Sequence, residues 1–369
     1  MSFQVPLLGG PRPAAAKPAC DGESLSDILP GKAEPSDLAW DAAARRLHLV
    51  SDNGQLLVLS VPAGRGSQAS LELKVKVDGK PDLEGVALIP SRPDHVYLGV
   101  ESPPAILELH LPSQTVVAEM PLRAAMDRDP PLDGEADNQG LESLLFIPPL
   151  KTTSGSARAG SGKQGQRLGY FIVGRQQDAR LFVFEVTIDG DPASGPMSLE
   201  LLGTAHLPGA PANDLSALTL WRSRIFMLFD KPKTLHVVSL DEMHAAINRM
   251  LDFGASRAPS DPGLQRRRRA SGGTSPVIPS QLPPLQVLAD SRTNIDGSGA
   301  FAFEIRGQEG IAFAEPAGGD PSAAADQTSV FVAVDAPHKS GRKDLLRFSV
   351  RDFLACFSDR GDAGIPRPV

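Results

Sequence analysis

The chain has 369 residues, 41% of them hydrophobic, with 35 glycines, 34 prolines and a formal net charge of −7. That apolar content supports one large core, and the glycine and proline density fits a turn-rich β protein. The acidic balance excludes a surface built to attract nucleic acid or an anionic membrane, and no stretch approaches the roughly 18 apolar residues of a membrane span.

Residues 1–20 lack a charged segment followed by an apolar run of about 7–15 residues, so the cytoplasm is the default reading unless a targeting segment lies outside this chain. From residue 36 onward the chain repeats itself five times. Ser36-Asp37-Leu38-Ala39-Trp40, Glu84-Gly85-Val86-Ala87-Leu88, Glu142-Ser143-Leu144-Leu145-Phe146, Ser216-Ala217-Leu218-Thr219-Leu220 and Glu309-Gly310-Ile311-Ala312-Phe313 each open a unit. Each phrase is Glu or Ser, a mostly small residue, a branched aliphatic, a mostly small residue and a large apolar one. A β-rich run then ends in a charged residue: Asp52, Glu101, Arg175, Asp230 and Asp335. A second apolar run closes each unit.

Units of about 40–50 residues made of short strands predict propeller blades. The fold expected is all-β, a single five-bladed propeller over 36–350 with six blades as the alternative, and a short helical insertion. Residues 1–35 are expected to supply a strand that closes the last blade, and 351–369 form a C-terminal tail. Low-complexity insertions at 151–167 and 255–284 lengthen the later units, because such composition buries too little apolar surface to order itself. Between them, 241–253 carries Met243, Ile247, Met250 and Leu251 at helical spacing and predicts a surface helix docked through that stripe.

Several motifs carry no function. Gly160-Ser161-Gly162-Lys163-Gln164-Gly165 spells a dinucleotide fingerprint without the strand before it or the helix after it. Asp127-Arg128-Asp129 and Asp133 to Asp137 alternate carboxylates, yet lack the glycine and glutamate spacing of a calcium-binding loop. The seven histidines share no repeat position, so a histidine metal site has no support. Arg266 to Arg269 reads as a solvated linker, with phosphorylation of Ser271 as the sharper alternative. Cys20 and Cys356 lie near opposite ends of the chain and read as two free thiols, or as a staple across the closure in an oxidising compartment.

The repeat position itself carries the chemistry. First strands of successive blades line one channel, so Ser36, Glu84, Glu142, Ser216 and Glu309 are expected to converge on the axis. Three converging carboxylates repel one another unless a cation neutralises them. An all-oxygen ligand set selects a hard ion, and Ca²⁺ tolerates irregular geometry. The metal-ligand set read from the sequence is therefore Glu84, Glu142 and Glu309, with Ser36 and Ser216 completing the ring. The alternative is that these glutamates accept hydrogen bonds from inner-strand amides and hold the blades in register.

Asp82-Leu83-Glu84-Gly85-Val86, Asn138-Gln139-Gly140-Leu141-Glu142-Ser143-Leu144, Asp214-Leu215-Ser216-Ala217-Leu218 and Gln308-Glu309-Gly310-Ile311-Ala312 resemble, in order, the repeated phrases of the SdiA-regulated β-propeller family. Related phrases occur in esterase-like phytase and NHL-repeat propellers. The resemblance implies five blades, a bound calcium ion, an envelope or secreted location and no established catalytic activity. Ser143 and Asp37 depart from its glycine, which leaves the turn geometry of those two blades open.

Two function classes follow. The first is a calcium-binding module or scaffold, monomeric, meeting a small molecule or a protein partner at the loops around the channel mouth. The second is a calcium-dependent phosphoester hydrolase, in which the ion polarises a phosphoryl oxygen and activates water. Few cations follow the inner strands to hold a polyphosphate; Arg175, Lys231 and Lys233 are the candidates. No residue is assigned a catalytic role.

Overall fold

Among the described residues, twenty strands make five antiparallel four-stranded sheets. The computed structural model describes residues 22–30, 33–62, 68–127, 140–149, 165–205, 214–230, 234–256, 301–302, 308–315, 328–334 and 345–355. The chain's first strand, β1 (Glu23–Ser24), belongs to its last blade. Blade one is β2 (Pro35–Asp41), β3 (Arg46–Ser51), β4 (Gln55–Ser60) and β5 (Ser70–Lys76), and blade two is β6 (Leu83–Ala87), β7 (His95–Val100), β8 (Ala105–His110) and β9 (Thr115–Pro121). A single helical turn, α1 (Arg123–Met126), leads to blade three: β10 (Leu141–Ile147), β11 (Gln166–Arg175), β12 (Leu181–Ile188) and β13 (Met197–Ala205). Blade four is β14 (Leu215–Trp221), β15 (Arg224–Phe229), β16 (Thr234–Ser239) and β17 (Phe301–Ala302), with helix α2 (Leu240–Ser256) inserted after β16. Blade five is β18 (Gln308–Ala314), β19 (Ser329–Val334) and β20 (Leu345–Ser349), completed by β1; helix α3 (Val350–Ala355) follows. The arrangement is the five-bladed propeller expected from the repeat, and six blades are excluded.

Burial explains which sequence pattern goes where. Inner and middle strands are covered on both faces by neighbouring blades, so they read as continuous apolar runs such as Leu56-Leu57-Val58-Leu59 and Tyr170-Phe171-Ile172-Val173, all buried. Outer strand β5 has one face on its neighbour and one in water, and it alternates Leu71, Leu73 and Val75 with charged residues. The core consists of apolar clusters, one at each junction of adjacent blades; Val50, Leu56 and Val58 of blade one meet Val96, Leu98 and Leu107 of blade two, for example. Each such fully buried aliphatic contributes about 1.5–3 kcal/mol by leaving water.

The ring closes in two ways. Inner strands touch in the cycle β2, β6, β10, β14, β18 and back to β2. At the last blade β1 pairs antiparallel with β20, Leu25 N–H donates to the Leu345 carbonyl at 2.8 Å, and Leu25 and Leu29 enter the cluster between blades five and one. A strand from the chain's start thereby covers what would be an open edge.

Helix α2 begins where the Ser239 hydroxyl accepts the Glu242 N–H at 3.1 Å. Met243, Ala246, Ile247 and Met250 are buried in the cluster between blades three and four, with Leu251 packed beside them. Insertions 151–167 and 255–284 fall almost wholly outside the described residues, as do Lys231, Lys233, Ser271, Cys20, Cys356 and Asp335.

Candidate metal centre

Every inner strand slips by one residue against its neighbour, and the slip falls on the repeat position. The irregularities lie between Pro35 and Asp37, Leu83 and Gly85, Leu141 and Ser143, Leu215 and Ala217, and Gln308 and Gly310. The residues bulged out of the ladder are therefore Ser36, Glu84, Glu142, Ser216 and Glu309. A bulge leaves its extra residue unpaired and re-aims the side chain. All five sit at the start of their strands, so they occupy one end of the channel.

The three glutamates are brought together. Glu84 is pushed well above the usual carboxylate range, first by burial and then by the charges of Glu142, Asp52, Asp82 and Glu309. Glu142 is raised likewise, by burial and then by Glu101, Glu309, Asp82 and Asp52. Glu101 is raised by burial and by Asp82, although the Gly140 N–H, 3.3 Å from its Oε1, partly offsets this. The neighbours that act on Glu84 in this way are all carboxylates.

The two serines part company. Ser36 joins the cluster, its hydroxyl hydrogen-bonded to Asp52 Oδ1 and 3.3 Å from the Glu34 carbonyl. Ser216 Oγ instead donates to the Leu228 carbonyl of its own blade at 3.3 Å, and no described contact joins it to the carboxylates.

Three members of the cluster, Asp52, Asp82 and Glu101, lie outside the repeat position. Asp52 and Glu101 follow the second strand of their blades, and Asp82 lies two residues before Glu84. Backbone hydrogen bonds tie these places together: Asp52 N–H to the Glu34 carbonyl (3.2 Å), Glu101 N–H to Asp82 (3.0 Å) and Asp230 N–H to Asp214 (3.1 Å). In blade three the corresponding donor is Gln176, to Gly140 at 3.2 Å. Leu141 pairs with Arg175, so the residue equivalent to Asp52 and Glu101 is Gln176, which corrects the reading that put Arg175 there. The Arg175 side chain is buried and paired with Asp178, Nε to Oδ1 at 2.9 Å, and Arg180 shares that carboxylate at 3.2 Å.

Local chain geometry places Asp52 beside the next blade. Gly54 ends the turn after Asp52 with a φ of +73°, and a Cβ there would lie 2.7 Å from Lys80 Cα. The turn can thus rest against the chain entering β6. As a result, carboxylate oxygens of Asp52, Asp82 and Glu84 all lie within 4.8 Å of one another. Oxygens around one Ca²⁺ at about 2.3–2.6 Å span up to about twice that radius, so the three fit a single ion.

One residue beyond the ring, Asp37 stands where other copies have Gly85, Ser143, Ala217 or Gly310. Its carboxylate is fully buried and accepts the N–H groups of Leu38 (2.8 Å) and, across the blade junction, Val86 (2.9 Å). Burial raises its pKa well above the ordinary value; these amides and the backbone of Leu144 pull the other way. Asp37 thus accepts an inner-strand amide across a blade junction.

A family model described as "Phytase-like: Esterase-like activity of phytase" matches residues 33–250, more than half of the chain. No curated protein matches the sequence at a significant level. Among solved structures, one described as "Structure of U3-55K" is similar at 13% identity and a TM-score of 0.33, covering 61% of this chain and 53% of that one. Another, a functionally unknown protein from Desulfotomaculum acetoxidans DSM 771, is similar at 9% identity and a TM-score of 0.37, covering 83% and 64%. The chain spans less than two thirds of either.

Proposed function

This chain belongs to the phytase-like family, and from that premise we propose that it is a calcium-binding propeller that recognises an anionic ligand at the acidic end of its channel. The observation that carries the reading is the approach of Asp52, Asp82 and Glu84 to within 4.8 Å, with Glu142, Glu101 and Glu309 coupled to them electrostatically. Oxygen donors of this kind suit a hard cation and offer nothing to a thiophilic one. Asp52, Asp82 and Glu84 would hold the ion, Glu142 and Glu309 would add charge from the adjoining blades, and Ser36 would fix the Asp52 carboxylate. When bound, the cation supplies positive charge that can hold and polarise an oxygen of a phosphate or carboxylate ester.

The same acidity decides how a ligand could bind. The carboxylates by themselves repel a phosphate, and among the described residues Arg175 and Arg180 are engaged by Asp178. Anion binding should therefore depend strictly on the cation. Isothermal titration with CaCl₂, followed by inorganic phosphate with and without calcium, tests this. Calcium binding near one equivalent and phosphate binding only in its presence support the reading; phosphate binding in chelator overturns it.

A second reading, ester hydrolysis, is favoured by the family's description and by the carboxylate of Glu142 beside the three that would hold the ion. A carboxylate placed beside a bound cation can accept a proton from attacking water and return it to a leaving group. Calcium-dependent release of phosphate from a phosphomonoester panel, lost in Glu142→Gln, would support hydrolysis; calcium binding with no turnover of any substrate would leave a binding module.

A further inference from the structure

The buried carboxylate beneath the ring has no part in the function argued so far. Asp37 lies at the junction of the inner strands, and it alone among the five copies places a charged side chain at this position. Its oxygens take one amide hydrogen from β2 (Leu38) and one from β6 (Val86), and the backbone of Leu144 in β10 adds a third hydrogen bond. On the other side β18 rests directly on it: a Cβ added at Gly310 would lie 2.9 Å from Asp37 Cα and 3.1 Å from its carbonyl carbon. One residue therefore touches three other inner strands.

Buried N–H groups need acceptors. Inner strands have a sheet neighbour on one side only, so amides turned toward the channel must find an acceptor elsewhere. Asp37 provides one for amides on three strands at once. Those amides lie within two residues of the bulges: Leu38 two after Ser36, Val86 two after Glu84 and Leu144 two after Glu142. Fixing them fixes how far apart the bulged side chains stand.

We propose that Asp37 is a positioning residue for the calcium site, a bolt through the channel that sets the spacing of Ser36, Glu84 and Glu142. The proposal rests on the calcium reading given above. A glycine or alanine in its place, as in three of the other copies, would leave three amide donors to be satisfied separately and the blades free to shift by fractions of an ångström. Residues that orient metal ligands through hydrogen bonds typically change metal affinity about 10–100-fold when removed.

The test compares wild type with Asp37→Asn and Asp37→Ser. Asparagine keeps the shape but replaces one acceptor by a donor that meets an N–H; serine matches the residue of the third copy and remains available should asparagine fail to fold. Ile225→Val, fully buried in blade four, controls for a general loss of stability. Calcium affinity is read by titration calorimetry, and hydrogen exchange at the Val86 and Leu144 amides is read in chelator. The proposal predicts calcium binding weakened at least tenfold and faster exchange at both amides in the Asp37 variants, with neither change in Ile225→Val. Unchanged calcium affinity in the Asp37 variants overturns it. If wild type binds no calcium, the functional reading fails instead; faster exchange at Val86 and Leu144 would then keep Asp37 as the bolt of the inner strands, and unchanged exchange would remove that role too.

Discussion

Glu84 and Glu142 occupy the same bulge in adjacent blades, 58 residues apart in sequence; Glu142 raises the proton affinity of Glu84, and Asp52, Asp82 and Glu309 raise that of both. Like charges are seldom buried together without a role, since each adds to the other's desolvation cost. Repeating this one local device around a closed ring brings the bulged carboxylates to the same end of the channel, where Asp52, Asp82 and Glu101 join them.

Ring closure depends on how near β18 comes to β2. Gly310 has no room for a side chain: an added Cβ would meet Asp37 Cα at 2.9 Å and Ala333 Cβ at 3.1 Å. Gly310→Ala should cost about 1–3 kcal/mol by overpacking this junction. Urea denaturation of the variant checks it, with an unchanged midpoint as the contrary result.

Removing residues 1–29 takes away β1, the Leu345 hydrogen bonds and the buried Leu25 and Leu29. Each leucine contributes about 1.5–3 kcal/mol, and β20 becomes an open edge. The truncated chain should melt well below the full chain and aggregate on heating; scanning calorimetry with light scattering measures both.

His48 titrates in the opposite sense to the acidic cluster. It is buried in β3, neither ring nitrogen has a hydrogen-bond partner among the described residues, and burial lowers its pKa to about 4. The unfolded chain, with an ordinary histidine value near 6.5, takes up the proton first as pH falls. Stability supplied by the neutral ring is thus complete above about pH 6.5 and lost as pH drops toward 4, on the order of 3 kcal/mol at the lower limit. His48→Leu should flatten this part of the stability profile between pH 6.5 and 4. Chemical denaturation across that range decides it, and an identical slope in wild type and variant would contradict the assignment.

Much of this was legible in the sequence because the device is local. The Glu or Ser phrase recurs wherever an inner strand begins, since a bulge needs a small or tolerant neighbour and a following apolar strand. Helix α2 showed itself through Met243, Ile247 and Met250, whose spacing is that of one helical face. Blade three's second position was misplaced by one residue because alternation alone cannot fix register; only the pairing of Leu141 with Arg175 puts Gln176 beside Gly140. Asp52 and Glu101 were visible as charges ending a strand, but their approach to Glu84 and Glu142 depends on Gly54 and Gly140 allowing close contact between blades. Asp37 looked like a departure from the pattern, and its partner Val86 lies 49 residues away with no local signal to announce it.

The central claim is that the carboxylates at the acidic end of the channel form a calcium site, and the most direct measurement is calorimetric titration of calcium into wild type, Glu142→Gln and Glu185→Gln at neutral pH. Glu185 pairs with Arg167 on blade three, away from the bulges. Wild type and Glu185→Gln should bind calcium alike and gain melting temperature in its presence, as a ligand of the folded state requires. Glu142→Gln, which removes one charge at nearly constant shape, should bind at least tenfold more weakly. Absence of calcium binding to wild type, or equal affinity in Glu142→Gln, would contradict the account.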